Sequence, residues 1–301
     1  MPYTIQTGSN ALNREEIDSI VKQVGQREYK MMQAVAIVET NALTHTFFRK
    51  DPTTLTGQSG NSIEGVPFAA NFPHAKVFTE KLSVMIKKFA LETNIPWEVM
   101  RGSAVDVQTV STIGLTEGVV KSVDDYIYGE LTQDATGSTF DTAITEIQSH
   151  SILLGRYWDV SSANITDDLG RAEQLIAENA HVDTSNLLVY VSPRDYRSMK
   201  KWVIDKGSQF NGFAEEVTRN GRVAKLDGKT IIQAESITAS FALVLKPKTC
   251  ASFFEFVPLQ STTIEDPYKS TTIRVVHEGA VGRTNPKEIV IIRSTQSGTT
   301  T

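Results

Sequence analysis

Cysteine is almost missing from this chain: Cys250 stands alone among 301 residues. No internal disulfide can form and no cysteine metal cluster is possible, which points to a reducing compartment. Long apolar runs are missing too. None approaches the roughly 18 residues that cross a bilayer as a helix, so a membrane-spanning helix is excluded. The start, MPYTIQTGSNALNREE, has no basic region followed by an apolar one, and no secretory signal is expected. There is no excess of one charge to speak of. The 30 basic residues face 35 acidic ones, a formal charge of −5, which argues against a protein built to grip nucleic-acid phosphates. Hydrophobic residues at 40% and charged residues at 22% are ordinary for a globular chain. The length allows two domains or one large one.

Catalytic signatures are equally scarce. There is no G-x-x-x-x-G-K-[ST] to cradle phosphates and no G-x-G-x-x-G opening a helix. There is no G-x-S-x-G and no H-E-x-x-H. The five histidines, His45, His74, His150, His181 and His277, are isolated, with no pair at metal-ligand spacing on one helix face. Cys250 closes a strand-like run and reads as a buried structural thiol. His277-Glu278 reads as a surface strand pair rather than a base and its orienter. Asp124-Asp125 reads as a solvated face, because neighbours on a helix point about 100° apart. The short basic runs Lys87-Lys88 and Lys200-Lys201 read as solvated faces rather than a nucleic-acid patch. Asn164-Ile165-Thr166 is a glycosylation sequon with no signal sequence to use it. Trp97, Trp158, Trp202, Phe253, Phe254 and Phe256 read as core or subunit-contact residues. No catalytic, cofactor-binding or metal-ligating residue is assigned, and no cofactor is expected. That shifts weight from an enzyme toward a structural role.

What is present is an order of parts. Residues 1–12 form a polar arm. Asn13 and Glu16 resemble a capping box before Ile17, Ile20, Val21, Val24, Met31, Val35 and Val38, a spacing that predicts a helix over 13–40 with Gly25 as its weak point. Residues 49–76 are rich in proline and glycine and cannot build a core. The runs flanking them, Leu43–Phe48 and Phe78–Phe89, read as strands, which together make a long hairpin reaching away from the body. From Ser111, Leu115, Val119, Val120, Val123, Ile127 and Leu131 recur at helical spacing to about Thr132. A dense α/β stretch follows from about 156 to 250. In it Leu187–Val191 reads as a strand buried on both faces, and Ser192-Pro193-Arg194-Asp195 reads as a helix start. The end is mostly strand, over Phe253–Val257, Thr271–Val276 and Glu288–Arg293, with breaks at Pro258, Pro267 and Pro286.

That order of parts resembles the major capsid protein of tailed viruses of bacteria and archaea, the Hong Kong 97-type capsid fold. Local text carries the resemblance further. Asn186–Lys200 (NLLVYVSPRDYRSMK), Gly221–Ile232 (GRVAKLDGKTII) and Gly279–Ile292 (GAVGRTNPKEIVII) are similar to three stretches of that family. The resemblance implies an α+β fold made of an N-terminal arm (1–41), an extended hairpin loop (42–90), a long spine helix (about 105–132), a peripheral domain (91–155 with 251–301) and an α/β axial domain (156–250).

The resemblance also implies a function. It is a structural shell subunit that forms homo-pentamers and homo-hexamers around double-stranded DNA, which it encloses without sequence-specific binding. Scaffolding, portal and decoration proteins are the partners implied, and no membrane is. The expected location is the virion capsid, assembled in the host cytoplasm. The hairpin begins about forty residues from Met1, which leaves no room for a cleaved scaffolding segment and implies a separate scaffold or none. Some shells of this fold cross-link a hairpin lysine to a neighbour's asparagine, and Lys50 is placed for that. The loops of 156–250, Gly207–Gly228 among them, are implied near the capsomer axis. Two alternatives remain: an encapsulin-like nanocompartment shell, and a soluble α/β enzyme with a site in 156–250, which would need His181 or His277 to converge with carboxylates in a cleft.

Overall fold

Alternation of apolar residues along three strands builds the first layer of the protein. In β6 (Leu188–Val191), β9 (Phe241–Leu245) and β12 (Ile289–Arg293), successive side chains enter opposite cores. Val189, Val191, Ala242, Val244, Val290 and Ile292 pack on one side, and Tyr190, Leu243, Leu245, Ile289 and Ile291 on the other. The computed structural model describes residues 17, 20–25, 29–50, 79–102, 106–132, 147–180, 182–206 and 222–297.

These strands belong to a six-stranded sheet of order β5-β12-β9-β6-β8-β7, completed by β5 (Gln148–Ser151), β7 (Lys225–Leu226) and β8 (Lys229–Gln233). Its first face is covered by two helices, Ile165–Ala180 and Pro193–Asp205, through Leu169, Ala172, Ile176, Met199, Trp202 and Val203. The second helix starts as expected: Ser192 caps it by accepting the Asp195 N–H at 3.1 Å, with Pro193 in the first turn. β7 and β8 are joined by Asp227-Gly228, both at positive φ (52° and 75°), the two-residue hairpin turn that favours such residues. One boundary needs correction. β5 and β12 lie outside 156–250, yet both pair within this sheet, because β12 is the strand that gives β9 its second neighbour.

The second sheet has four strands, in the order β1-β10-β11-β4, with β1 (Ala36–Glu39) at one edge. It is dominated by a long antiparallel pair, β10 (Ala251–Asp266) and β11 (Ser270–Arg283), with β4 (Lys87–Pro96) on the far side of β11. Across its inner face lies the long helix Val107–Thr132, after the short helix α1 (Trp97–Gly102); numbering in chain order makes the long helix α2, Ile165–Ala180 α3 and Pro193–Asp205 α4. Val119, Val120, Val123, Ile127 and Leu131 of α2 are buried, as their spacing predicts.

Two sequence expectations fail here. The helix predicted over 13–40 ends early: residues 20–25 are helical, Met31–Gln33 make one 3-10 turn, and Ala36–Glu39 form β1, parallel to Ser252–Glu255. Tertiary pairing overrides the helical spacing of Val35 and Val38. Gly25 has a reason beyond helix weakness, since a Cβ there would stand 2.3 Å from Leu259 Cδ2. The break expected at Pro258 is also absent, because β10 runs through it. Register shifts at Glu255/Val257 and Val257/Gln260 interrupt the ladder there, and β1 pairs only as far as Glu255, so the proline sits at a bulge on an edge.

Candidate functional site

The run Phe78–Phe89 is two strands, not one. β2 (Thr44–Lys50) pairs antiparallel with β3 (Thr79–Met85), Thr44 opposite Met85 and Lys50 opposite Thr79. At Ile86 the chain leaves this ribbon, and β4 begins in the four-stranded sheet. The ribbon is therefore a two-stranded sheet of its own, and such a pair is marginal in water without something to pack on.

Its base has found half of that. His45 stacks on Phe254 with centroids 4.0 Å apart, and Phe47 tilts against the same ring at 5.6 Å. The glycine beneath, Gly282, makes room: a Cβ there would meet both aromatic rings within 2.7 Å. The other side of the ribbon is bare. Phe48 is 66% exposed and Met85 74%, and Leu43 at the base is exposed as well. The segment 51–78 between the strands, with His74, lies outside the described residues, as do the Lys50 side chain and residues 1–16, 133–146 and 207–221.

A second bare apolar group caps the far end of the β10–β11 pair. The turn carries Tyr268 at φ 62° and 84% exposed, with its ring edge-on to Trp97 at 6.1 Å. The Arg101 guanidinium lies over Trp97 at 4.7 Å, and Val99 and Ile264 are exposed nearby in chain and sheet. Charged pairs dress the outer face between β4 and β11: Arg274 with Glu92 at 2.7 Å and Lys88 with Glu278 at 3.5 Å.

Several residues singled out in the sequence have different settings from those expected. His277 is 1% exposed, not on the surface. It shares the inward face of β11 with Ile273 and Val275, a parity visible in the sequence. Its Nδ1 meets the Tyr29 hydroxyl at 2.5 Å, and its Nε2 meets Glu255 at 3.1 Å. Glu278 points the other way, to Lys88. Asp124 is buried, whereas Asp125 is exposed as expected. Lys87 keeps to the surface, 3.5 Å from Glu130 and above the Tyr126 ring. His150 contacts Asp168 at 3.3 Å, and that carboxylate also accepts the Trp158 indole N–H at 2.9 Å. Trp202 donates to Ala163 O at 2.8 Å. His181 lies outside the described residues.

The buried polar groups hold structure together. Asp195, fully buried, accepts from Ser192, Thr295 and Gln296 at 2.6–2.7 Å and ties the chain end to α4. Lys229, also buried, bridges Glu173 at 2.7 Å and Asp227 at 2.8 Å. Burial, with Glu288 adding, pushes the Cys250 thiol up to about 12, the setting of an inert thiol. Among the described residues, no group of three or more His, Cys, Asp or Glu side chains is placed to hold a metal ion.

Comparison with known proteins fits this picture of bare surfaces around a quiet interior. A family model described as phage capsid protein matches residues 79–292, well over half of the chain. No curated protein matches. Among solved structures, the capsid of the cyanophage P-SCSP1u superposes with a TM-score of 0.67 at 12% identity, over 99% of this chain and 93% of that one. A virus-like particle from Pyrococcus furiosus gives 0.62 at 11% identity, over 93% and 98%. The mature capsid of bacteriophage PhiM1 gives 0.60 at 14% identity, over 88% and 86%.

Proposed function

The chain belongs to the phage capsid protein family and has the Hong Kong 97-type capsid fold, and we propose that it is the non-catalytic subunit of an icosahedral shell around double-stranded DNA. The observation that carries this reading is the β2–β3 ribbon, docked by one face on its own sheet and bare on the other. Burial missing within one chain is recovered between chains. A specific contact of the usual kind buries about 1,600 Å².

In this reading the four-stranded sheet with α2 is the peripheral domain and spine helix, and the six-stranded unit is the axial domain. Residues 1–41 are the arm, and the extended loop expected over 42–90 ends at Ile86, where β4 joins the peripheral sheet. Head-to-tail contacts close only where the rotation closes, which gives homo-pentamers and homo-hexamers. The mildly acidic chain encloses DNA without reading it. Scaffolding, portal and decoration proteins complete the particle, which assembles in the host cytoplasm.

A second reading is a nanocompartment shell around protein cargo. The superposition on a virus-like particle from Pyrococcus furiosus is the observation behind it. Negative-stain microscopy with light scattering on the purified chain tests the shared claim. Closed shells or five- and six-membered rings are expected. Monomers at every salt and concentration, even when the chain is produced together with its neighbouring genes, would contradict both readings. Nucleic acid inside native particles selects the first reading and folded protein cargo the second.

A further inference from the structure

Residues 29–35 thread the joint where the two sheets meet α2, and each neighbour holds them separately. From β6, the Tyr190 hydroxyl donates to Lys30 O at 3.1 Å. From α2, Asp124 accepts the Lys30 N–H at 2.9 Å. From β11 and β10, His277 and Glu255 make a chain of hydrogen bonds to the Tyr29 hydroxyl. From the β9–β10 crossover, Lys248 donates its N–H to Ala34 O at 2.7 Å. Met31, Met32 and Val35 fill the core that both sheets share with α2.

One of these holds carries a cost. Asp124 is only 5% exposed, and its Oδ1 has no hydrogen-bond partner. An open groove of about 370 Å³ lies beside it, lined by Lys30, Glu117, Lys121 and Glu235. The other groups facing it are Tyr29, Tyr190 and its neighbour Asp125, with Glu255 and His277 behind Tyr29. Among the described residues, no cation pairs with Asp124. An ionised carboxylate held this way is poorly solvated, and water would take it back if the segment lifted.

We propose that residues 29–35 are a strap that locks the two sheets against α2, and that loss of the proton from Asp124 unlocks it. Burial pushes the Asp124 carboxyl up from 3.8 to about 6, against the pull of the Lys30, Met31 and Met32 amides. A group raised in the closed state favours closure in acid. That advantage is complete below pH 3.8 and is lost as the pH rises through about 6. At tenfold per pH unit, the open fraction grows by up to about a hundredfold across that span. Tyr29, pushed up by burial and then by Asp124 and Glu255, keeps its proton throughout and stays hydrogen-bonded to His277 Nδ1.

Hydrogen exchange of the amides of residues 30–35, read by mass spectrometry on soluble subunits from pH 5 to 8 and divided by intrinsic rates, tests this without requiring shells to form. Protection in the parent chain should fall about tenfold between pH 5 and pH 8, while the amides of β6 stay constant. Asp124→Asn should abolish that fall and keep the strap protected at pH 8. Tyr29→Phe should lower protection at every pH and leave the slope intact. Protection of the parent strap that is flat or rises with pH overturns the proposal, whether or not the variants fold. An unchanged slope in Asp124→Asn overturns it as well.

Discussion

The ring of Phe47 lies over the bare Cα of Gly282, so close that a methyl group there would stand 2.6 Å from Phe47 Cε1. The contact aims the whole β2–β3 ribbon, because the register of its seven pairs is fixed once Phe47 is seated. Gly282→Val should overpack this junction and cost about 1–3 kcal/mol in urea unfolding. Exchange protection of Thr44–Lys50 should fall further than that of β10. A valine variant as stable as the parent, with the ribbon equally protected, would show that something else aims it.

Tyr268 should behave in the opposite way. It is exposed at a turn, so Tyr268→Ser should change stability by no more than about 0.5 kcal/mol. Tyrosine is among the residues enriched where chains make their strongest contacts. The expected result is an unchanged melting temperature with particle yield down at least tenfold. Normal particles from this variant would remove the tip from the assembly contacts.

Asp195 anchors the end of the chain. Asp195→Ala leaves the donors of Ser192, Thr295 and Gln296 facing an empty, buried space, and should cost about 3–5 kcal/mol by denaturant unfolding. Asp195→Asn, which keeps the size and one acceptor oxygen for Thr295 and Gln296 and turns the other position into a donor facing Ser192, should cost less. Equal losses in the two variants would mean that side-chain size contributes nothing and that both carboxylate oxygens are needed.

Much of this was legible beforehand, and the failures share a cause. The α2 stripe, the Ser192 cap and the strand Leu187–Val191 depend on neighbours within a few residues, and all three stand where the sequence puts them. β1 was read as helix because Met31, Val35 and Val38 fit a helical spacing. The strand exists only through Ser252–Glu255, more than two hundred residues away. The same holds for His277, whose partner Tyr29 is 248 residues distant, although its parity with Ile273 and Val275 marked the face it occupies. Pro258 misled because proline breaks a ladder only where its missing N–H is needed. The bare ribbon was legible as strands around a core-less loop; the docking of its base on Phe254 was not.

Cys250 offers a test of the interior. Its thiol is pushed up to about 12, so it stays protonated through neutral and mildly alkaline pH. Iodoacetamide at pH 8.5 should label it far more slowly in the folded chain than in denaturant, because the strap is open for only a small fraction of the time even when unlocked. Labelling of the folded chain as fast as in denaturant would mean that Cys250 is not buried beneath residues 29–35.

The central claim is that the hairpin clamps a neighbouring subunit and is not needed for the chain's own fold. Deleting residues 52–74 and comparing the variant with the parent by circular dichroism, thermal unfolding and negative-stain microscopy tests it most directly. The account predicts a folded subunit, melting within a few degrees of the parent, that no longer forms closed shells. A deletion variant that still closes shells, or one that unfolds outright, would contradict it.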